Sequence, residues 1–254
     1  TGTGPSTHGR FHYRQILPGS YRLGDCFRDR TIGRPFWSQI GDAGRRVAIL
    51  DVPKSPLARD LNGIQIADWL PHGEDGPVPV SWPPELANEL PTRFRPTGSF
   101  SCHWERRGVA ELAELRDQIH QHLVLRTELA LDWLRQERWD LFLAVFAESH
   151  CIGHHCWHLH DSSHPDHDGN AVAKLGDPLR DIHQALDASL GRIVTECGPE
   201  TTVVVFSLLG MGPNYMGTRL ADVVLRTLDE RRTAAYSWPA GRWLGSLRRG
   251  LAHP

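Results

Sequence analysis

Seven of the fifteen histidines of this 254-residue chain fall between His150 and His167, in the run ESHCIGHHCWHLHDSSHPDHD. Neutral imidazole is the commonest protein ligand for zinc and related transition metals. His150 and His154 are four residues apart, so one helical turn or a tight loop would aim both rings at one ion, and Glu148 could add a carboxylate oxygen. The run therefore predicts a transition-metal site with Glu148, His150 and His154 as its ligands.

Other residues of this run have simpler explanations. We expect most of the remaining histidines to be solvated side chains, namely His158, His160, His164 and His167. The aspartates could bind a second ion but are more simply turn residues of a polar loop, namely Asp161, Asp166 and Asp168. We expect Cys151 and Cys156 to be small buried hydrophobes. The alternative for these cysteines, a structural zinc site shared with histidines, lacks the usual two C-x-x-C halves.

Three short apolar runs predict the strands that position this site. They cover residues 46–52 (RVAILDV), 139–148 (WDLFLAVFAE) and 201–207 (TTVVVFS). Each run is too continuously apolar for a half-exposed strand and is typical of strands buried on both faces of a parallel sheet. We therefore expect three neighbouring strands of one mostly parallel sheet. The histidine run lies just beyond the second strand, where binding groups collect in such sheets.

Helical patterns alternate with these strands. Apolar spacing and boundary residues predict helices over residues 35–44, 109–137 and 177–197, and a further helix from just after 216 to about 230. The alternation predicts an α/β fold with a doubly wound sheet. We expect one domain over residues 1–254.

A proline-rich stretch at about 71–96 interrupts this domain. Its seven prolines forbid a regular hydrogen-bonded ladder. We expect a surface connection there, and the alternative is a lid over the site.

Composition limits the class of partner. The formal net charge of −2 offers no basic footprint for nucleic acid or for an anionic membrane surface. No run approaches the roughly 18 to 20 apolar residues that span a bilayer, and five cysteines do not suggest a secreted disulfide framework. We therefore expect a cytoplasmic protein without a nucleic-acid or membrane partner, and the oligomeric state is left open.

Three segments follow one another in an order that carries a family resemblance. They are TGTGPSTHGRFHY at the start of the chain, the apolar strand followed by ESHCIGHHCWH, and DIHQALDASLGRIV followed by TTVVVFSLLGMG. They resemble, in turn, three motifs of the type I phosphodiesterase and nucleotide pyrophosphatase branch of the alkaline phosphatase superfamily: TGR-x-P-x-x-HGI, a strand with D-x-x-G-H-x-x-G, and D-x-x-LG with S-D-H-G-M. Gly153, His154, Gly210 and Met211 match, and His150 stands where the family has an aspartate ligand.

The resemblance implies an alkaline-phosphatase-like fold, a three-layer α/β/α sandwich with a mostly parallel sheet. It also implies a hydrolase of phosphate, phosphodiester or sulfate esters acting on a small-molecule substrate. In that family two metal ions, usually zinc, flank a serine or threonine nucleophile that attacks phosphorus in line. With imidazole in place of carboxylate at His150, we expect one weakly held divalent metal ion, zinc in the first instance.

Two departures from the family pattern matter. The family's nucleophile and first metal aspartate lie upstream of the TGR-like segment with which this chain begins, so we expect a portion of a larger enzyme that is inactive alone, and no catalytic residue is assigned. Leu208 and Leu209 replace the Asp-His pair of S-D-H-G-M and cannot bind a metal. This second departure favours the alternative function, a non-catalytic binding or structural relative of the family.

Overall fold

The structure is a computed structural model that describes residues 2, 4–8, 14–25, 34–53, 55–70, 79–95, 107–207, 209–213 and 220–235. The chain divides into two compact units, residues 1–212 and 213–254. No helix among the described residues is long and apolar enough to cross a lipid bilayer.

The first unit contains both strands and helices among its described residues. The strands are β1 (Arg14–Ile16), β2 (Leu23–Asp25), β3 (Val47–Leu50), β4 (Gly63–Ala67), β5 (Val80–Trp82) and β6 (Leu141–Ala144). The helices are α1 (Pro5–His8), α2 (Phe36–Asp42), α3 (Glu85–Arg93), α4 (Val109–Gln136), α5 (Glu148–His160), α6 (Gly169–Leu175) and α7 (Pro178–Cys197), and the second unit contains α8 (Leu220–Ala235).

The main sheet has the strand order β5-β4-β3-β6. β3 pairs in parallel with both β4 and β6, and β5 pairs antiparallel with β4. Val47 is in register with Gly63 on one side and with Leu141 on the other. The expectation that 46–52 and 139–148 contain parallel neighbouring strands is confirmed, and so is an α/β fold with a mostly parallel sheet.

The sheet buries side chains on both of its faces. Ala48 and Leu50 of β3 belong to a core cluster with Trp133 of α4. The alternate residues Val47 and Ile49 belong to a second cluster, which also contains Trp37 of α2. This two-sided burial is the physical reason for the continuous apolar run of β3.

Strand β4 was not among the predicted strands, because a polar residue and a glycine interrupt its apolar pattern. Gln65 is fully buried, and its side chain accepts a hydrogen bond from the Ala58 N–H at 2.9 Å and donates one to the Pro56 carbonyl at 2.9 Å. Gly63 has φ 151°, and a Cβ there would lie 1.8 Å from the Val47 carbonyl oxygen. Neighbours in space therefore favour a glutamine and a glycine at these two positions. The local sequence pattern does not reveal those neighbours.

The predicted strand at 201–207 is wrong. These residues form neither strand nor helix, and Val204, Val205 and Phe206 are 72%, 67% and 65% exposed. β-branched and aromatic residues favour a strand only where a neighbouring strand supplies hydrogen bonds and a packed surface. No described strand pairs with this run.

The expectation that prolines forbid a regular ladder throughout 71–96 is also wrong for the described part, residues 79–95. Strand β5 lies between Pro79 and Pro83 at the edge of the sheet, and α3 begins directly after Pro84. Prolines are tolerated in these places because an edge strand and the first turn of a helix both have N–H groups without ladder partners. Residues 71–78 and 96 lie outside the described residues.

Three helices around the histidine run pack on one another. α4 and α7 follow the predicted helices at 109–137 and 177–197 to within one residue. Ile119 of α4, Ile152 of α5 and Ile182 of α7 share one core cluster. α2 lies within the predicted 35–44, and the helix predicted after 216 is present as α8.

Candidate metal centre

The histidine run begins directly beyond the sheet. β6 ends at Ala144, and α5 starts at Glu148 after a connection of three residues. The Val145 N–H still bonds to the Leu50 carbonyl at 3.0 Å, so the chain leaves the sheet only at this point. α5 therefore starts at the carboxyl end of a parallel strand, as the sequence predicts, but the first thirteen residues of the run form a helix and not a loop.

The structure brings His150 and His154 together. They lie one helical turn apart on the exposed face of α5, with their Nε2 atoms 3.0 Å from each other and their ring centroids 4.3 Å apart. Two imidazole ligands of one tetrahedral zinc ion, each bound at about 2.0–2.1 Å, have nitrogens about 3.3 Å apart. This contact is a hydrogen bond in which one Nε2–H donates to the other Nε2, and its length is close to the separation that two imidazole ligands of one zinc ion would have.

Glu148 is not part of this pair in the structure. Its carboxylate is buried, and Oε1 accepts a hydrogen bond from Arg126 Nε at 3.0 Å. Positions two apart on a helix point in different directions, so Glu148 faces the core while His150 faces outwards. Oε2 of Glu148 is buried without a hydrogen-bond partner among the described residues.

Arg126 joins Glu148 to a second buried carboxylate. Its guanidinium also pairs with Asp51, the residue that follows β3, and Asp51 Oδ1 accepts the Trp69 N–H at 3.1 Å. Burial opposes the charge on Arg126, but the carboxylates of Glu148 and Asp51 outweigh it and hold the pKa of the guanidinium above its ordinary value. We call these three residues, Asp51, Arg126 and Glu148, the buried triad.

His122 lies one helical turn before Arg126 on α4 and is almost fully buried. Burial, and then the nearby charge of Arg126, lower the pKa of its imidazole to about 4. His122 is therefore neutral at neutral pH. His122 and Arg126 were not predicted as site residues, although both fall on the apolar stripe of α4 that contains Ile119 and Leu123, where a polar residue signals a buried partner.

The histidines later in the run have other partners. His160 Nδ1 lies 2.7 Å from an Asp177 oxygen, and His167 Nδ1 lies 2.9 Å from the His158 carbonyl oxygen. His158 is half-buried, and burial followed by the neighbouring His164 lowers its pKa. The expectation of solvated rings therefore fits exposed His160 best, because His158, His164 and His167 are partly buried.

Two aspartates of the run have the predicted turn roles. Asp161 accepts hydrogen bonds from the N–H and hydroxyl of Ser163, and Asp168 caps the N-terminus of α6. Within the described ranges, no group of three or more histidine, cysteine, aspartate or glutamate side chains is arranged to hold a metal ion.

Both cysteines of the run are buried, as predicted. Burial raises the pKa of the Cys156 thiol to about 12. A metal binds the thiolate, so Cys156 is a poor ligand at neutral pH. The geometry gives no support to a cysteine-based structural zinc site.

The end of the third motif contacts the helix of the second. Met211 lies against Gly153 of α5, and a Cβ at position 153 would meet the methionine sulfur. Leu209 is 84% exposed, while Leu208 lies outside the described residues. Of the first motif, the structure describes Gly2, Gly4 and helix α1.

Comparison with known proteins identifies the family of the chain. The family model described as type I phosphodiesterase / nucleotide pyrophosphatase matches residues 1–246. No curated protein matches the chain, and no solved structure matches it. Since the family match covers nearly the whole sequence, the chain belongs to the type I phosphodiesterase/nucleotide pyrophosphatase family of hydrolases.

Proposed function

We propose that this chain serves the metal-dependent hydrolysis of phosphodiester or phosphate esters, and that His150 and His154 supply two ligands of a divalent metal ion, zinc in the first instance. The observation that supports this proposal is the 3.0 Å separation of the two Nε2 atoms at the carboxyl end of a parallel strand. Family membership supplies the reaction class, and the imidazole pair supplies the metal chemistry.

The two imidazole donors are of a type that zinc prefers, but there are only two of them in the proposed site. Two neutral imidazoles bring no negative charge, so they hold a dication less tightly than a set with carboxylates does. A bound zinc ion would polarise the ester and lower the pKa of a nucleophilic oxygen. The exposure of both rings leaves the pair accessible to a small ester.

The buried triad has a supporting role in this proposal. Glu148 is committed to Arg126 and is therefore not offered as a ligand. The net charge of two carboxylates and one guanidinium is −1, and it lies in the core near the start of α5. This negative charge favours a cation at the neighbouring imidazoles.

Metal analysis of variants tests the proposal. Protein loaded with zinc and dialysed at pH 8 should retain close to one equivalent of zinc by elemental analysis. His154→Ala should lose most of it, and His150→Ala should retain a reduced fraction. His120→Ala is the matched control, because His120 is an exposed histidine on helix α4. Unchanged zinc in both α5 variants would remove these residues from the site.

A non-catalytic relative is the second candidate function. The exposed Leu209, with Leu208 before it, stands where family members have an Asp-His pair, and the described part of the chain brings only two metal-ligand side chains together on α5. Zinc-dependent hydrolysis of bis-p-nitrophenyl phosphate by the intact gene product would support the hydrolase. Zinc content without turnover of this ester, of p-nitrophenyl phosphate or of p-nitrophenyl sulfate would support the non-catalytic relative.

A further inference from the structure

We propose that Arg126 is the positioning residue for the His150–His154 pair. The inference rests on the proposed function, because the pair is the proposed metal site. Arg126 acts on the pair through Glu148, the first residue of α5, to which its guanidinium is bonded at 3.0 Å.

The start of α5 needs an anchor of this kind. The first turn of a helix has N–H groups without acceptors inside the helix and frays easily. The residue before α5 is Ala147, which provides no side-chain cap. The ion pair of Glu148 with Arg126 holds this turn, and His150 belongs to the same turn.

The anchor is rigid because it is held from two sides. Asp51 binds the other side of the guanidinium and is itself fixed by the Trp69 N–H. All three side chains of the buried triad are at most 6% exposed. A buried carboxylate needs a cation nearby, so Glu148 has a strong preference for this one position.

The two imidazoles differ in their dependence on the anchor. His154 lies between Ile152 and Cys156, which are both fully buried in the core cluster of α4, α5 and α7. Packing therefore holds the turn that contains His154. The turn that contains His150 is held both by packing, through buried Cys151, and by the ion pair of Glu148. Only His150 therefore depends on the anchor in part, so loss of the anchor should move His150 more than His154.

Two variants of the triad test this role. Arg126→Lys keeps the charge but loses the planar fork that reaches two carboxylates at once. Glu148→Gln keeps the shape and one acceptor oxygen but loses the charge. Arg135→Lys is the matched control, since Arg135 is on the same helix and pairs with Glu196 at the surface.

Two readouts are measured on each variant. The first is zinc affinity by competition with a chromogenic chelator, and the second is the ring ¹⁵N NMR signals of His150 and His154 in metal-free protein. Partners that orient metal ligands typically change affinity 10- to 100-fold when they are mutated. We expect a loss of about this size in Arg126→Lys and Glu148→Gln, a shift of the His150 signals towards those of a solvated histidine, and neither change in Arg135→Lys.

Each outcome decides the question. Unchanged affinity and unchanged ring signals in both triad variants, even with lowered thermal stability, would overturn the positioning role and leave the proposed function intact. If wild-type protein binds no zinc, the proposed function fails, and the metal-free ring signals still decide whether Arg126 positions the pair. If Arg126→Lys does not fold, Glu148→Gln decides by the same two measurements.

Discussion

The sulfur of Met211 occupies the space beside Gly153 that a side chain would need. A Cβ on Gly153 would lie 2.0 Å from Met211 Sδ, well inside any permitted contact. Gly153 and Met211 are 58 residues apart in sequence, yet this contact joins the helix that carries the histidine pair to the segment that follows α7. The absence of a side chain at 153 is what allows that segment to approach α5.

Gly153→Ala should displace Met211 from α5. Overpacking of a contact costs about 1–3 kcal/mol, while alanine in a helix is favoured over glycine by up to about 1 kcal/mol. We therefore expect a net loss of about 1 kcal/mol in the free energy of unfolding by urea. We also expect a shift of the Met211 methyl NMR signal.

Gly191→Ala provides the control for this prediction. Gly191 is in helix α7, and a Cβ there would meet nothing within 4 Å. This variant should gain up to about 1 kcal/mol through helix propensity alone. An unshifted Met211 signal in Gly153→Ala would show that the two residues do not pack together in solution.

His122 should make the protein less stable in mild acid. Its pKa is about 4 in the folded protein, against 6.5 for an unperturbed histidine, so between these values the unfolded chain binds a proton that the folded protein does not. The stabilisation is fully present above the unfolded pKa and is lost as the pH falls towards the folded one. At about 1.36 kcal/mol per pKa unit, the loss from this residue is at most about 3 kcal/mol.

Urea unfolding at pH values from 7.5 to 4.5 measures this effect. His122→Gln should flatten the dependence on pH, because glutamine does not titrate in this range. His120→Gln, an exposed neighbour on the same helix, should keep the wild-type slope. Equal slopes in all three proteins would mean that His122 is not buried as a neutral ring.

The 254-residue chain by itself should hydrolyse bis-p-nitrophenyl phosphate no faster than a buffer control with matched zinc. The physical reason is that the described residues bring no group of three or more metal-ligand side chains together, and the candidate carboxylate Glu148 is bound by Arg126. Hydrolysis is measured by release of p-nitrophenolate against protein concentration. Turnover that follows the concentration of protein through purification would place a complete active site within this chain.

The exposed apolar run at 203–206 should promote self-association. A short stretch of β-branched and aromatic residues without charge pairs readily with another copy when it is exposed. Val204→Lys should lower the apparent mass seen by sedimentation at high protein concentration. Val194→Lys is the control, because it adds the same charge at an exposed valine of helix α7. It should leave the apparent mass unchanged. Equal masses for all three proteins would exclude this run as a site of association.

Features that depend on local periodicity could be predicted from the sequence. The long stripe of leucine and isoleucine in 109–137 and the continuous apolar run at 46–52 each reflect burial that the structure shows. The i, i+4 spacing of His150 and His154 was likewise sufficient, because a single helical turn determines their separation.

Features that depend on distant partners could not be predicted in this way. The run at 201–207 has the composition of a strand but no described strand beside it. Glu148 was predicted as a ligand from its proximity in sequence to the histidines, and its bond to Arg126, 22 residues earlier, could not be predicted from that proximity. Gln65 in β4 is buried because its side-chain amide accepts a hydrogen bond from the Ala58 N–H and donates one to the Pro56 carbonyl.

The most direct test of the metal site is X-ray absorption at the zinc edge of zinc-loaded protein. The proposal predicts two imidazole nitrogens at about 2.0–2.1 Å, with the remaining ligands being oxygen or nitrogen. The imidazole contribution should fall in His150→Ala and should be largely absent in His154→Ala. A spectrum with sulfur at about 2.3 Å, or one without imidazole in the wild-type protein, would contradict the assignment of His150 and His154 as the metal-binding pair.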